Sequence, residues 1–277
     1  MLHIYHKSVI PAAFEGMLDA KQLLQADDNT FFVFDCYQDD ANAALSFIDK
    51  WKERKWLKRN IPQAYKIVVF SEFTAGQLRK YYPKIASNIS IQFPRIEEIF
   101  HPIDDDAKDA VRYRETNGDA YFIYRGPIHP AAELKNLLKG FSIFKKKMGS
   151  NMKLVLCGSV SSKSEAFLSE LDTYKYKEDV LIKTDFNQTE ESELIAAAYA
   201  LVHPCRWERF GFSPLKAMKT GVAVLTVENS SMSEFTSMAG MYFNEKDPSD
   251  IGEKMMRIYK DEQMRMDMIG TGLSKVL

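Results

Sequence analysis

Short apolar runs alternate along this chain with stretches in which apolar residues recur every three or four positions. Tyr121 to Tyr124, Lys153 to Cys157, Val180 to Thr184, Ala200 to Val202 and Val222 to Thr226 are runs of the first kind, the pattern of strands covered on both faces. Helical spacing fills the intervals at about Glu133 to Lys147, near Glu165 to Tyr174 and at Glu190 to Tyr199. This half of the chain predicts a doubly wound α/β domain. Towards the amino terminus, Leu2 to Tyr5 and Thr30 to Phe34 read as strands with helical spacing from Ala12 to Leu24 between them, a βαβ rhythm. Tyr65 to Phe70 is a further strand, followed by Ser71 as a helix cap, and Ile89 to Gln92 another. Asp104 to Gly118 is charged and poor in large apolar residues. It reads as a linker over 105–118, between domains at 1–104 and 119–277.

Two places in this pattern carry candidate chemistry. From Val202 to Gly221 an apolar run passes through a glycine into a helix, with Ser213 expected as N-cap, Pro214 at the first helical position and Gly221 just past the end. A helix start there sets unpaired backbone N–H groups beside Glu208 and Gly211, a combination that suits a sugar phosphate. An ordinary strand-loop-helix of an α/β domain fits the same residues. Arg125-Gly126-Pro127 stands between the first strand and first helix of the second domain, where a glycine lets backbone approach a phosphate. His203 reads as loop support. On the amino-terminal side His6 and Asp35 end strands, and Asp35, at the end of a buried strand of a parallel sheet, is the stronger candidate for contact with a ligand.

Pro204, Glu208, Phe210, Gly211, Leu215, Ala217, Met218 and Gly221 fall without a gap on a pattern that resembles the donor-site signature of the retaining group-1 glycosyltransferases. The resemblance implies a GT-B fold: α/β, with two Rossmann-like domains, the amino-terminal one abbreviated. It implies transfer of a sugar from a nucleoside diphosphate sugar to a carbohydrate or lipid-linked acceptor, with no cofactor and no metal. Glu208 and Asp35 become the implied catalytic residues, and Arg125, Gly126, Lys135, Phe210, Gly211, Phe212, Leu215 and Lys216 the implied donor-binding residues. Ser71-Glu72-Phe73-Thr74 and Ile99-Phe100-His101-Pro102 resemble the end of the acceptor domain and its exit. Two departures stand out. Lys216 replaces a glutamate that in the family holds the donor ribose, and an ammonium only donates hydrogen bonds. Ala131 and Ala132 stand where the family carries a pair of cations that stabilise the leaving diphosphate; Lys135 and Arg125 are the available substitutes. The same departures fit a catalytically silent GT-B module that serves as a binding partner or scaffold.

Bulk properties narrow the setting. The 277 residues include 37 basic and 38 acidic ones, so no global field recruits nucleic acid. Cys36, Cys157 and Cys205 show no metal-ligand or disulfide spacing, and no long apolar run or leader is evident, which leads to the expectation of a cytoplasmic protein. A basic stretch with Lys52, Arg54, Lys55, Lys58 and Arg59 beside Trp51 and Trp56 reads as a solvated helix face in preference to a peripheral membrane contact. Met255, Met256, Met264, Met266 and Met268 read as core packing.

Overall fold

The computed structural model describes residues 4–6, 30–33, 55, 59, 66–129, 132–160, 164–205, 212–228 and 230–276. The chain divides into two units, the first ending at Glu97 and the second beginning at Glu98.

Among the described residues of the first unit four strands, β1 (Ile4–His6), β2 (Thr30–Val33), β3 (Lys66–Val69) and β4 (Ile89–Ile91), form one sheet in the order β1-β2-β3-β4. β2, β3 and β4 are parallel, whereas β1 runs antiparallel to β2. The expected βαβ rhythm across β1 and β2 is corrected by that pairing. An apolar run of three or four residues carries no signal of direction; the connection sets it, and that connection lies outside the described residues. Helix α1 (Glu72–Tyr81) starts as expected, with Ser71 Oγ accepting the Thr74 N–H at 3.0 Å. Its Ala75 and Leu78 are fully buried, as are Ile67 and Val69 on one face of β3. Of the basic stretch at 51–59, Lys55 and Arg59 are described; both are helical and exposed.

The second unit is built on a six-stranded, all-parallel sheet of order β10-β9-β8-β5-β6-β7. Its strands are β5 (Tyr121–Arg125), β6 (Lys153–Cys157), β7 (Val180–Lys183), β8 (Ala200–His203), β9 (Ala223–Val227) and β10 (Gly240–Phe243). Tyr121, Phe122, Ile123 and Tyr124 are all fully buried, which explains why the strand shows no alternation. Helix α2 (Asp105–Thr116) precedes the sheet, and α3 (Leu134–Met148) follows β5. α3 turns Leu134, Leu137, Leu138, Phe141 and Phe144 onto the core, a stripe at helical spacing. Next come α4 (Glu165–Asp172), α5 (Gln188–Ala196), α6 (Ser213–Lys219), α7 (Ser231–Thr236), α8 (Pro248–Lys260) and α9 (Glu262–Val276).

Three further expectations are corrected here. The 105–118 stretch is a helix, not a linker. Asp104 caps it by accepting the Ala107 N–H at 2.8 Å, ion pairs Asp105–Lys108 and Asp109–Arg112 brace it, and Asn117 closes it in the left-handed conformation. Only Val111 and Thr116 are buried on it, so it offered almost no apolar pattern to read. Residues 98–104, expected in the first domain, belong to the second unit. Glu98 pairs with Lys219 at 3.1 Å, and the Ile99 carbonyl accepts from Ser192 Oγ at 2.7 Å. Phe100 is fully buried there. Finally, Met255 and Met268 are buried as expected of core methionines, but Met266 is half exposed on the outer side of α9.

Candidate functional site

In the second sheet β5 lies between β6 and β8, so the strand order reverses between β5 and β8. Ligands of open α/β sheets bind outside the carboxy ends of the strands at such a reversal. At this edge the chain leaves β5 through Gly126 and β6 through Gly158, both at a φ of +157°. Gly126 N–H donates to the Cys157 carbonyl at 3.0 Å, and Gly158 N–H to that of Lys183 at 2.9 Å. A Cβ added at Gly158 would stand 1.8 Å from the Gly126 carbonyl oxygen, and one at Gly126 would stand 2.5 Å from the Tyr124 hydroxyl. Each glycine is therefore required by its neighbour, Gly158 by the Gly126 carbonyl and Gly126 by the Tyr124 hydroxyl, and the two turns lie side by side next to the reversal. Cys157 ends β6 just before Gly158, its thiol pushed up to about 12 by burial.

Charge is concentrated next to these turns. Arg125 donates from Nε and Nη2 to the two carboxylate oxygens of Glu191, at 2.9 and 3.0 Å. Lys216 Nζ donates to the same Oε1 at 3.0 Å and stands 4.3 Å from the centroid of the Phe100 ring. The Arg125 guanidinium in turn lies 5.7 Å from the centroid of Phe186. Burial alone pushes the Glu191 carboxyl up, but the charges of Arg125 and Lys216 outweigh it and hold the carboxyl below the usual range. Glu191 was not among the residues expected here. Its signal was a charged side chain on the apolar face of α5, one and two turns before Leu194, Ile195 and Ala198. The other candidate cation, Lys135, pairs with Glu170 across an exposed surface of α3 and α4. Ala132 is buried in the main core, and Glu133 after it has a φ of 53°, with its carboxyl pushed up by burial and by Glu245.

The turn into α6 differs in one respect from expectation. Phe212, at φ 52° and ψ 48°, occupies the N-cap position, so that Ser213 is the first helical residue and its buried hydroxyl makes no hydrogen bond. Pro214 follows at the second helical position, and the left-handed turn at Phe212 replaces a side-chain cap. The Phe212 ring is buried against Phe235, with centroids 5.3 Å apart, and Leu215 is fully buried. Phe212 and Leu215 therefore offer the site backbone, not side chain. Gly221 lies past the end of α6 at φ +73°, as expected. His203 is buried at the end of β8 and stacks on Tyr124, with centroids 5.7 Å apart; burial pushes its ring down to about 4. A neutral, enclosed imidazole fits support better than proton transfer. After β9, Ser230 and Ser233 form a reciprocal capping box at the start of α7. Glu208, Phe210, Gly211, Ala131 and Asp35 lie outside the described residues, and His6 is described as part of β1. Among the described residues no three His, Cys, Asp or Glu side chains come together as a metal-ligand group, and no helix is long and apolar enough to cross a membrane.

The family described as glycosyl transferases group 1 matches residues 105–274, well over half of the chain and the whole of the sheet just described. The chain belongs to this family. Its similarity to the Alpha-1,3/1,6-mannosyltransferase ALG2 of Saccharomyces cerevisiae is 22% identity over 199 residues, 61% of this chain and 40% of that protein. The chain thus spans less than half the length of that curated relative. Among solved structures it is similar to WaaG, a glycosyltransferase involved in lipopolysaccharide biosynthesis, with a TM-score of 0.75 and 17% identity over 90% of this chain and 70% of that one. HepE of Anabaena, solved in complex with UDP-glucose, gives a TM-score of 0.71 at 12% identity over 83% of this chain and 63% of its own. As a group-1 family member with these neighbours, the chain has the GT-B fold.

Proposed function

We propose that this group-1 family chain transfers a hexose, with retention, from a nucleoside diphosphate sugar to a carbohydrate or lipid-linked acceptor. The observation that carries this reading is the pair of glycine turns, Gly126 and Gly158, beside the strand-order reversal, the place where open α/β sheets bind their ligands. The diphosphate lies over those turns and the turn into α6. Glu208 accepts hydrogen bonds from the sugar hydroxyls, and Asp35 serves the acceptor side. No cofactor or metal takes part; the nucleotide sugar is the donor substrate. The bound UDP-glucose of the HepE neighbour and the mannosyltransferase name of the yeast relative support a uridine donor, and glucose and mannose as the sugars, as the first to try.

A second reading is favoured by a separate observation: Arg125 and Lys216 are already paired with Glu191, and a buried methyl at Ala132 replaces a family cation. On that reading the module is silent and serves as a scaffold or binding partner. Calorimetric titration with uridine, guanosine and adenosine diphosphates and their sugars decides between the two. Saturable binding tighter than about millimolar, which is about 4 kcal/mol, weakened by Glu208→Ala, supports transfer; folded protein that binds none of them leaves the silent module.

A further inference from the structure

Tyr124 is a fully buried phenol near the carboxy end of β5, where a phenylalanine would bury the same ring without a hydroxyl to satisfy. Phe122, two residues earlier on the same face of the strand, is such a residue. The hydroxyl of Tyr124 serves the turn that follows its own strand, donating to the Pro127 carbonyl at 2.9 Å. Proline has no N–H, so backbone hydrogen bonds fasten that turn only on either side of it: Gly126 N–H to the Cys157 carbonyl at 3.0 Å, and Ile128 N–H to that of Ser159 at 2.9 Å. Tyr124 supplies the fastening between them. It also comes close enough to require glycine at 126, where a Cβ would stand 2.5 Å from the phenol oxygen.

The ring itself is held from the next strand. Tyr124 and His203 stack with centroids 5.7 Å apart and planes 17° from parallel, within the range of offset aromatic pairs. His203 ends β8, and its carbonyl accepts from Thr226 Oγ1 of β9 at 3.2 Å. Thr226, His203, Tyr124 and Pro127 thus form a continuous line of contacts across β9, β8 and β5 that crosses the strand-order reversal. One end of the line is the Gly126–Pro127 turn; from His203 the chain runs in five residues to Glu208. We propose that Tyr124 is a positioning residue for the donor nucleotide sugar: its hydroxyl sets the Gly126–Pro127 turn, and its stack on His203 keeps that turn in register with the strand that leads to Glu208. This rests on the nucleotide-sugar reading above. Tyr124 acts on the ligand through backbone and does not touch it.

Calorimetry with uridine diphosphate and UDP-glucose, run well below the melting temperature of each variant, separates positioning from stability. Tyr124→Phe removes one hydrogen bond from the turn and is expected to weaken both ligands about fivefold. His203→Leu keeps the hydroxyl, removes the stack and is expected to weaken them about threefold. Ile258→Ala, in the core on α8 and outside this line, lowers the melting temperature by more than either and leaves affinity within about twofold of the parent. Gly126→Ala reports the contact between phenol and turn: alone it loses about tenfold, but no more than about threefold when added to Tyr124→Phe, because the oxygen it collides with is gone. Should Gly126→Ala fail to fold, the other variants still decide. Tyr124→Phe or His203→Leu with the affinity of the parent overturns the proposal. So does an Ile258→Ala affinity that falls with its melting temperature, since every effect would then be one of stability, and so do Gly126→Ala and Tyr124→Phe losses that simply multiply. A folded parent that binds neither ligand removes the nucleotide-sugar reading, and the positioning role with it.

Discussion

His203 shows how a single buried residue imposes a pH dependence on the whole fold. Unfolded, its ring titrates near the ordinary value of 6.5; folded, burial holds it at about 4. Between those values the unfolded chain takes up a proton that the folded chain refuses, so the contribution of the neutral ring is complete above about pH 6.5 and declines as the pH falls towards about 4, by as much as about 1.4 kcal/mol per pH unit. Urea unfolding at about pH 7.5 and about pH 5 therefore shows a drop in midpoint that is smaller in His203→Leu; an equal drop in both proteins assigns the effect elsewhere. Gly158 makes a steric prediction. With a methyl placed 1.8 Å from the Gly126 carbonyl oxygen, Gly158→Ala loses at least about 3 kcal/mol of stability in the same assay. Gly126 was legible in the sequence because it stood between a strand and a helix beside an arginine. Gly158 gave the same signal after its own strand, but the contact between the two glycines depends on β5 and β6 being neighbours, which no local pattern states. Glu191 was hidden for a like reason: its two partners lie 66 and 25 positions away.

At the scale of elements, legibility followed burial. Five of the six strands of the second sheet, β5 to β9, were read to within a residue or so because each is an apolar run, and α3 because its stripe is wide; β10, in which buried and half-buried residues alternate, was not read. Helix α2 was missed because ion pairs and caps, not an apolar face, stabilise it. Asp104→Ala accordingly destabilises the second unit by about 1 kcal/mol, measured by urea unfolding, since the cap is one of few features that define the helix start. No change would mean that the neighbouring Asp105 and Asp106 take over. The packing of α3 on α8 rests on a close approach that sequence alone does not announce: a Cβ at Gly252 would lie 2.8 Å from the Gly140 carbonyl oxygen. Gly252→Ala forces these helices apart and costs about 1 to 3 kcal/mol. A thermal midpoint equal to that of the parent would show that the pair can slide without loss.

At the scale of the molecule, two α/β units with separate sheets were anticipated, and the boundary moved from 104 to 97 because the Glu98–Pro102 segment is held by α5 and α6. Among the described residues each unit has its own buried apolar set. Residues 98–277 expressed alone are therefore expected to melt in one cooperative transition and to give protected amides along β5, β6 and β8. A broad transition without protection would make the first unit a requirement for the second. The family was readable from one gap-free motif, whereas the charge arrangement around Lys216 needed coordinates, since it joins a strand end, two helices and the Glu98–Pro102 segment.

The thiol at the end of β6 gives the molecule an internal clock. Cys157 is fully buried and titrates at about 12, so in the closed sheet it offers an alkylating reagent neither access nor thiolate. Iodoacetamide can reach it only when the strand opens. Its labelling rate thus reports how often the centre of the second sheet comes apart, and a ligand seated over the neighbouring Gly158 slows that rate in proportion to the stability it adds.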